Sequence, residues 1–216
     1  METFLIIMGC VMIGHIGQMP SFAAKKFKDK EALYFEDQSF TFEELSNLIE
    51  KFSSSLHDLG IMQNDVVTLY ASNSWEWIVS YFSIARIGAI INPVNTMLTP
   101  SEVKHVVNDC KAKAIITSYD KASAIINIKN DTSVNTIISF GRAPQGTEEF
   151  NNLIKNEFQP VKMPNIIPED LSTIGYTSGT TGHPKGAMQS HKSVVINGAM
   201  TSQLHMRGPE DVVVSA

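Results

Sequence analysis

Strand-like and helix-like runs alternate along this 216-residue chain, and the alternation limits its fold more than any other feature. Short runs of β-branched and other apolar residues occupy positions 66–70, 114–117 and 136–140. Several of the segments between such runs place apolar residues at helical spacing. Because parallel neighbours in a sheet need crossover connections, this order predicts an α/β fold with a mostly parallel sheet flanked by helices.

Capping residues mark the starts of three predicted helices. The pairs with the spacing of a helix start are Thr41 with Glu44, Asn73 with Glu76, and Thr99 with Glu102. In each pair the first side chain can accept a hydrogen bond from the first turn, and the glutamate can reach back to the cap. Gly60 and Gly88 are predicted to end the first two helices.

The second half of the chain has fewer regular patterns. The elements predicted there are a short helix near 148–155 within a polar connection, a strand at 171–176, a helix at 191–206 and the start of a strand at 212–215. No repeat or change of composition divides the chain. We therefore predict one domain for residues 16–216, preceded by an apolar extension at residues 1–15.

The apolar run at residues 4–16 has several interpretations. It is too short to span a bilayer. Glu2 is acidic where a secretory signal would carry positive charge, although Ser21-Phe22-Ala23 resembles a cleavage site. A secretory signal, an element lying on the core and an extension without function all stay open. The absence of a basic leader favours a cytoplasmic protein with no membrane partner.

Net charge and cysteine content limit the kinds of partner, metal site and cellular compartment that the sequence supports. The net charge is −5 and the basic residues do not cluster, which gives no support for a nucleic-acid partner. The two cysteines, Cys10 and Cys110, lack the spacing of a metal site. They indicate a reducing compartment rather than a disulfide framework.

The segment at 174–185 reads IGYTSGTTGHPK, and its composition does not favour a helix or a strand. Its glycines let the backbone approach a ligand, and successive N–H groups in such a turn can form an anion nest. Hydroxyls and one lysine add further donors, so the segment predicts a di- or triphosphate site, with a flexible surface loop as the alternative. The candidate residues are Thr177, Ser178, Gly179, Thr180, Thr181, Gly182 and Lys185. Pro184 and Gly186 around the lysine exclude the Walker A motif.

The same segment, extended to Gly186, closely resembles the phosphate-loop signature of the adenylate-forming superfamily, which includes acyl-CoA synthetases, peptide-synthetase adenylation domains and luciferases. Further segments resemble the family in order and spacing: FTFEEL at 40–45, ARIGAIINPVN at 85–95, LTPSEVKHVVNDCKAKAIIT at 98–117 and GAMQSHKSVV at 186–195. The resemblance runs from about Ile16 to the last residue. Acyl-CoA synthetases of fatty or other acyl acids are the most similar subgroup.

The resemblance implies a reaction and a set of roles. Such enzymes couple a carboxylic acid to ATP, release pyrophosphate, and pass the acyl group from the adenylate to a thiol, often that of CoA. The loop residues named above would contact the β- and γ-phosphates, and Thr177 would also lie near Mg²⁺. His191 is expected to be a helix-start or packing residue rather than a catalyst, and His183 a solvated loop residue.

The resemblance also implies segments that this sequence does not contain. In the family, later segments supply the acyl pocket, the adenine and ribose contacts, an acidic Mg²⁺ ligand and a catalytic lysine. We therefore expect an incomplete N-terminal portion of the large domain of an adenylate-forming enzyme, without a catalytic residue of its own and inactive alone. A split enzyme completed by a partner chain, or a non-catalytic remnant that keeps only the phosphate loop, are the alternatives.

Overall fold

A computed structural model describes residues 14–155, 157–177 and 184–214, which form alternating strands and helices. The strands are β1 Glu31–Phe35, β2 Gln38–Thr41, β3 Val66–Tyr70, β4 Ile90–Pro93, β5 Ala114–Ser118, β6 Thr136–Phe140, β7 Glu148–Glu149, β8 Leu171–Thr177 and β9 Lys185–Ser190. The α-helices are α1 Met19–Phe27, α2 Phe42–Asp58, α3 Trp75–Arg86, α4 Pro100–Asp109, α5 Tyr119–Ile128, α6 Phe150–Leu153 and α7 His191–Leu204. The predicted α/β class is confirmed.

The central sheet has the strand order β7-β6-β5-β3-β4-β8-β9. Every neighbouring pair is parallel except β8 with β9, which are antiparallel. β1 and β2 form a separate antiparallel hairpin. The chain moves from β3 to β4 on one side and then crosses to β5 on the other side, so the order reverses direction at β3.

Helices cover both faces of the central sheet. Phe52 of α2 and Ile84 of α3 are buried in one apolar cluster, together with Val67 of β3. Val106 of α4 belongs to a second cluster, together with Val66 of β3. Because consecutive strand residues point to opposite faces, α2 and α3 lie on one side of the sheet and α4 on the other. The loops after β3 and β4 therefore leave towards opposite faces.

The observed caps agree with two of the three predicted helix starts. Thr41 and Glu44 form a complete capping box at α2, as do Thr99 and Glu102 at α4. The prediction that Asn73 caps α3 is wrong: the hydroxyl of Ser74 accepts from the backbone N–H of Trp77, at 3.2 Å. Asn73 lies one residue too early for its side chain to reach that first turn.

Replacing the observed cap is expected to destabilise the protein. Ser74→Ala removes the acceptor for the Trp77 N–H and should lower the free energy of unfolding by about 0.5–2 kcal/mol. Asn73→Ala is the matched control, because Asn73 is exposed and does not cap the helix. Urea unfolding of both variants checks this, and an equal loss in Asn73→Ala would contradict the assignment of the cap.

Several other local predictions differ from the structure. Residues 148–155 hold the two-residue strand β7 before the helix α6, because Glu148 pairs with Ile138 of β6. The last helix ends at Leu204 rather than at residue 206. The strand predicted at 212–215 is wrong for its described part: Val212, Val213 and Val214 are exposed and irregular, since no described strand edge pairs with them.

Residues 1–13, most of the predicted N-terminal extension, lie outside the described residues. His15 and Ile16 are buried, and a short 3₁₀ turn at Ile16–Gln18 packs against α3. Within the described ranges, no helix combines the length and the apolar character that crossing a membrane requires.

Candidate phosphate-binding site

The β8–β9 hairpin brings the two ends of the predicted loop together. Thr177, the last residue of β8, stands opposite Lys185, the first residue of β9, in the strand register. Both residues are exposed. Because β8 runs parallel to β4, Thr177 lies at the edge of the sheet where the parallel strands end. The structure therefore places Thr177 and Lys185 side by side at this edge.

The predicted site residues between them lie outside the described residues. These are Ser178, Gly179, Thr180, Thr181 and Gly182, together with His183, for which a solvated position was predicted. Their roles stay predictions. Among the described residues, Lys185 pairs with no carboxylate, whereas Lys30, Lys104, Lys113 and Lys192 do. The Lys185 ammonium is thus not neutralised by a described carboxylate and can attract an anion.

An open cleft of about 450 Å³ lies at the same edge of the sheet. The residues that line it come from the end of β4, from α3 and from the segments after β3 and β4: Ala71, Ser72, Asn73, Trp77, Pro93, Val94, Asn95 and Thr96. The loops after these strands diverge towards opposite faces, which is where open parallel sheets bind ligands. Sequence reasoning missed this cleft, although polar pairs one residue after the ends of two strands, Ser72-Asn73 and Asn95-Thr96, were a usable signal.

Tyr176 ties the loop-bearing strand to the helix packed beneath it. Its hydroxyl donates a hydrogen bond to Asp109 at the end of α4. Burial, followed by this hydrogen bond, raises the pKa of Tyr176 well above its ordinary value. Burial likewise raises the pKa of the neighbouring Cys110 thiol to about 11, so Cys110 stays a neutral thiol near neutral pH and is not a nucleophile there.

His191 begins α7 directly after β9 and is fully buried. Its Nδ1 accepts a hydrogen bond from the backbone N–H of Ile16, at 3.3 Å. Its ring meets that of His15 edge to face, with 5.6 Å between centroids. These contacts agree with the packing role expected for His191.

Comparisons with known proteins identify the family of this chain. A protein family described as AMP-binding enzyme matches residues 21–216. Indoleacetate–CoA ligase from Aromatoleum aromaticum is 27% identical over 187 residues, which cover 86% of this chain and 37% of that protein. The 4-coumarate–CoA ligase 2 of Solanum tuberosum is 32% identical over 161 residues, which cover 74% of this chain and 29% of that protein.

Solved structures give the same result. The anthranilate CoA ligase AuaEII, crystallised with anthranoyl-AMP, superposes with a TM-score of 0.81 and 29% identity, over 88% of this chain and 36% of that one. This chain spans about a third of the length of the curated relatives it matches. Since the family match covers almost all of the sequence and the fold agrees, the chain belongs to the family of AMP-binding enzymes.

Proposed function

We propose that residues 177–185 bind the phosphate chain of ATP, in a ligase that joins a carboxylic acid to CoA through an acyl-adenylate. The observation that carries this proposal is the register pair of Thr177 and Lys185. It brings the two ends of the hydroxyl- and glycine-rich segment together at the edge of the sheet where the parallel strands end. The names of the relatives described above, all acid–CoA ligases, support the reaction class.

In this reaction the loop would act on the leaving group. A carboxylate oxygen of the acid attacks the α-phosphorus of ATP, and the bond to the bridging oxygen breaks to release pyrophosphate. Negative charge then grows on the pyrophosphate, where the Lys185 ammonium and loop donors between Ser178 and Gly182 would stabilise it. One donor of this kind is worth about 2.7–4 kcal/mol in comparable sites. The CoA thiol subsequently attacks the acyl carbonyl and displaces AMP.

A magnesium ion is proposed here as a companion of the nucleotide. The described residues contain no group of three or more His, Cys, Asp or Glu side chains that could hold a metal ion. Mg²⁺ commonly keeps several waters and takes phosphate oxygens with few protein ligands. Thr177, exposed at the strand end, is the residue proposed to contribute its hydroxyl.

The proposed acid substrate is a fatty or other acyl acid, because acyl-CoA synthetases of such acids are the subgroup that the sequence resembles most. The relatives' names refer to aromatic acids in three cases, namely indoleacetate, 4-coumarate and anthranilate. A substrate panel should therefore contain both aliphatic and aromatic carboxylic acids.

Pyrophosphate titration of the 216-residue chain tests the phosphate site. We expect binding with a Kd on the order of 1 mM, because contacts in an open, wet site are partly screened. Lys185→Ala should weaken it about tenfold or more, since it removes the cation of the site, and added salt should weaken it in the parent chain. Chemical-shift changes of backbone amides report the binding.

His183→Ala is the matched control, because it alters the same loop without removing a proposed phosphate contact. Its affinity should stay within about twofold of the parent chain. Equal losses in both variants, or pyrophosphate binding that persists in Lys185→Ala, would contradict the proposal.

A further inference from the structure

The strand that leads to the phosphate loop has little backbone support on its inner side. The described register between β4 and β8 consists of a single position, Ile91 with Thr173. β4 ends in Pro93, which has no N–H to donate to a neighbouring strand. On its other side β8 pairs only with β9, an exposed edge strand. Side chains must therefore supply part of the connection that fixes β8 in the sheet.

Asn92 supplies such a connection next to Pro93. Its Nδ2 donates to the backbone carbonyl of Ile174 in β8, at 2.8 Å. Its Oδ1 accepts from the hydroxyl of Thr68 in β3, at 2.9 Å. A carbonyl can only accept, so the amide nitrogen must face Ile174 and the oxygen must face Thr68. Both Asn92 and Thr68 are fully buried.

We propose that Asn92 is a positioning residue of the phosphate site, which anchors β8 to β4 in addition to the single described backbone pair between these strands. This inference rests on the proposed function. Ile174 precedes Thr177 by three residues, or about 10 Å along a strand. Asn92 therefore acts on the loop through β8, by holding the strand end that carries Thr177 and faces Lys185.

Two buried substitutions in the same network separate positioning from general stability. Asn92→Leu keeps the approximate size but removes the donor to Ile174, whereas Thr68→Val removes the other hydrogen bond and leaves the link to β8. Asn92→Leu takes a partner from both the Ile174 carbonyl and the Thr68 hydroxyl, whereas Thr68→Val takes one only from Asn92 Oδ1, so both should lower thermal stability, Asn92→Leu more. Hydrogen exchange of amides 171–177 and pyrophosphate affinity are measured in both.

We expect Asn92→Leu to speed exchange in residues 171–177 and to weaken pyrophosphate binding, each by about tenfold. Thr68→Val should leave both within about twofold of the parent chain. Unchanged exchange in Asn92→Leu, or equal effects in Thr68→Val, would overturn the inference. If the parent chain binds no pyrophosphate, the proposed function fails, while the exchange comparison still decides whether Asn92 anchors β8.

Asn92→Asp provides a second test and also serves if Asn92→Leu does not fold. As a carboxylate it cannot donate to Ile174, but protonation restores a donor. Burial should raise the pKa of the introduced carboxyl, so exchange in 171–177 should approach that of the parent chain as the pH falls. Among described groups, the Cys110 thiol lies 3.8 Å from Asn92 Oδ1. Tyr176 and Asp109, which bond to each other, interact in turn with that thiol. A pH-independent ratio between the exchange rates of Asn92→Asp and the parent chain would contradict the role of the donor.

Discussion

Lowering the pH from about 7 to about 4 is expected to reduce the free energy of unfolding by on the order of 3 kcal/mol through His191 alone. The cause lies beyond the end of β9 opposite to Lys185, where the rings of His15 and His191 meet in the interior. Among the described residues, the Nδ1 of His15 and the Nε2 of His191 have no hydrogen-bond partner. Protonation would therefore place a charge on a buried ring nitrogen that has no described hydrogen-bond partner.

The direction follows from the lowered pKa values. Burial, and then the neighbouring His15, lower the pKa of His191 from 6.5 to about 4, although Asp170 acts in the opposite direction. Burial, and then Arg86, lower the pKa of His15 as well. Below pH 6.5 the unfolded chain binds protons that the folded chain does not. The stabilisation is therefore complete above about pH 6.5 and is lost as the pH falls towards about 4.

Urea unfolding at a series of pH values measures this loss. His191→Asn removes the titrating ring while keeping an acceptor near the Ile16 N–H, and it should flatten the dependence between about pH 6.5 and 4. His205→Gln is the control, because His205 lies on the surface. A slope that is equally steep in His191→Asn and the parent chain would show that other groups cause the acid sensitivity.

The sequence patterns predict the sheet well where strands are buried on both faces. β3, β5 and β6 were predicted almost to the residue, because β-branched runs of that length suit a covered parallel sheet. β9 was missed, since its residues are exposed and show no apolar alternation. Its strand conformation comes from pairing with β8 rather than from its own preferences. α5 was missed because only Ala122 and Ile125 of its residues are buried.

The candidate site, like the sheet, could be predicted from the sequence only in part. Local chemistry made the loop predictable, since glycines, hydroxyls and Lys185 adjoin in sequence. The supporting contacts were not predictable, because their partners are remote: Asn92 bonds Ile174, and His191 contacts His15. An asparagine before a proline is typical of a turn, and nothing local to Asn92 indicates that it links three strands. Such contacts depend on the completed topology of the sheet.

Gly17→Ala is expected to destabilise the protein strongly by pushing the N-terminal turn away from α3. A Cβ at this position would lie 2.6 Å from the Cα of Arg86 and 2.7 Å from the carbonyl oxygen of Ala85. Both are backbone atoms of a packed helix, so no side-chain rotation relieves the clash. Overpacking of this kind costs about 1–3 kcal/mol and occasionally more. The turn also holds Ile16, whose N–H donates to His191.

Gly14→Ala is a closely matched control, because its Cβ would meet only the flexible end of the Gln18 side chain, at 3.6 Å. We expect Gly17→Ala to lower the Tm by several degrees and to speed exchange at the start of α7, with Gly14→Ala close to the parent chain. If the turn moves away, water reaches His191, and the acid sensitivity of Gly17→Ala should weaken relative to the parent. A Gly17→Ala chain with unchanged Tm would mean that the N-terminal turn does not pack on α3 in solution.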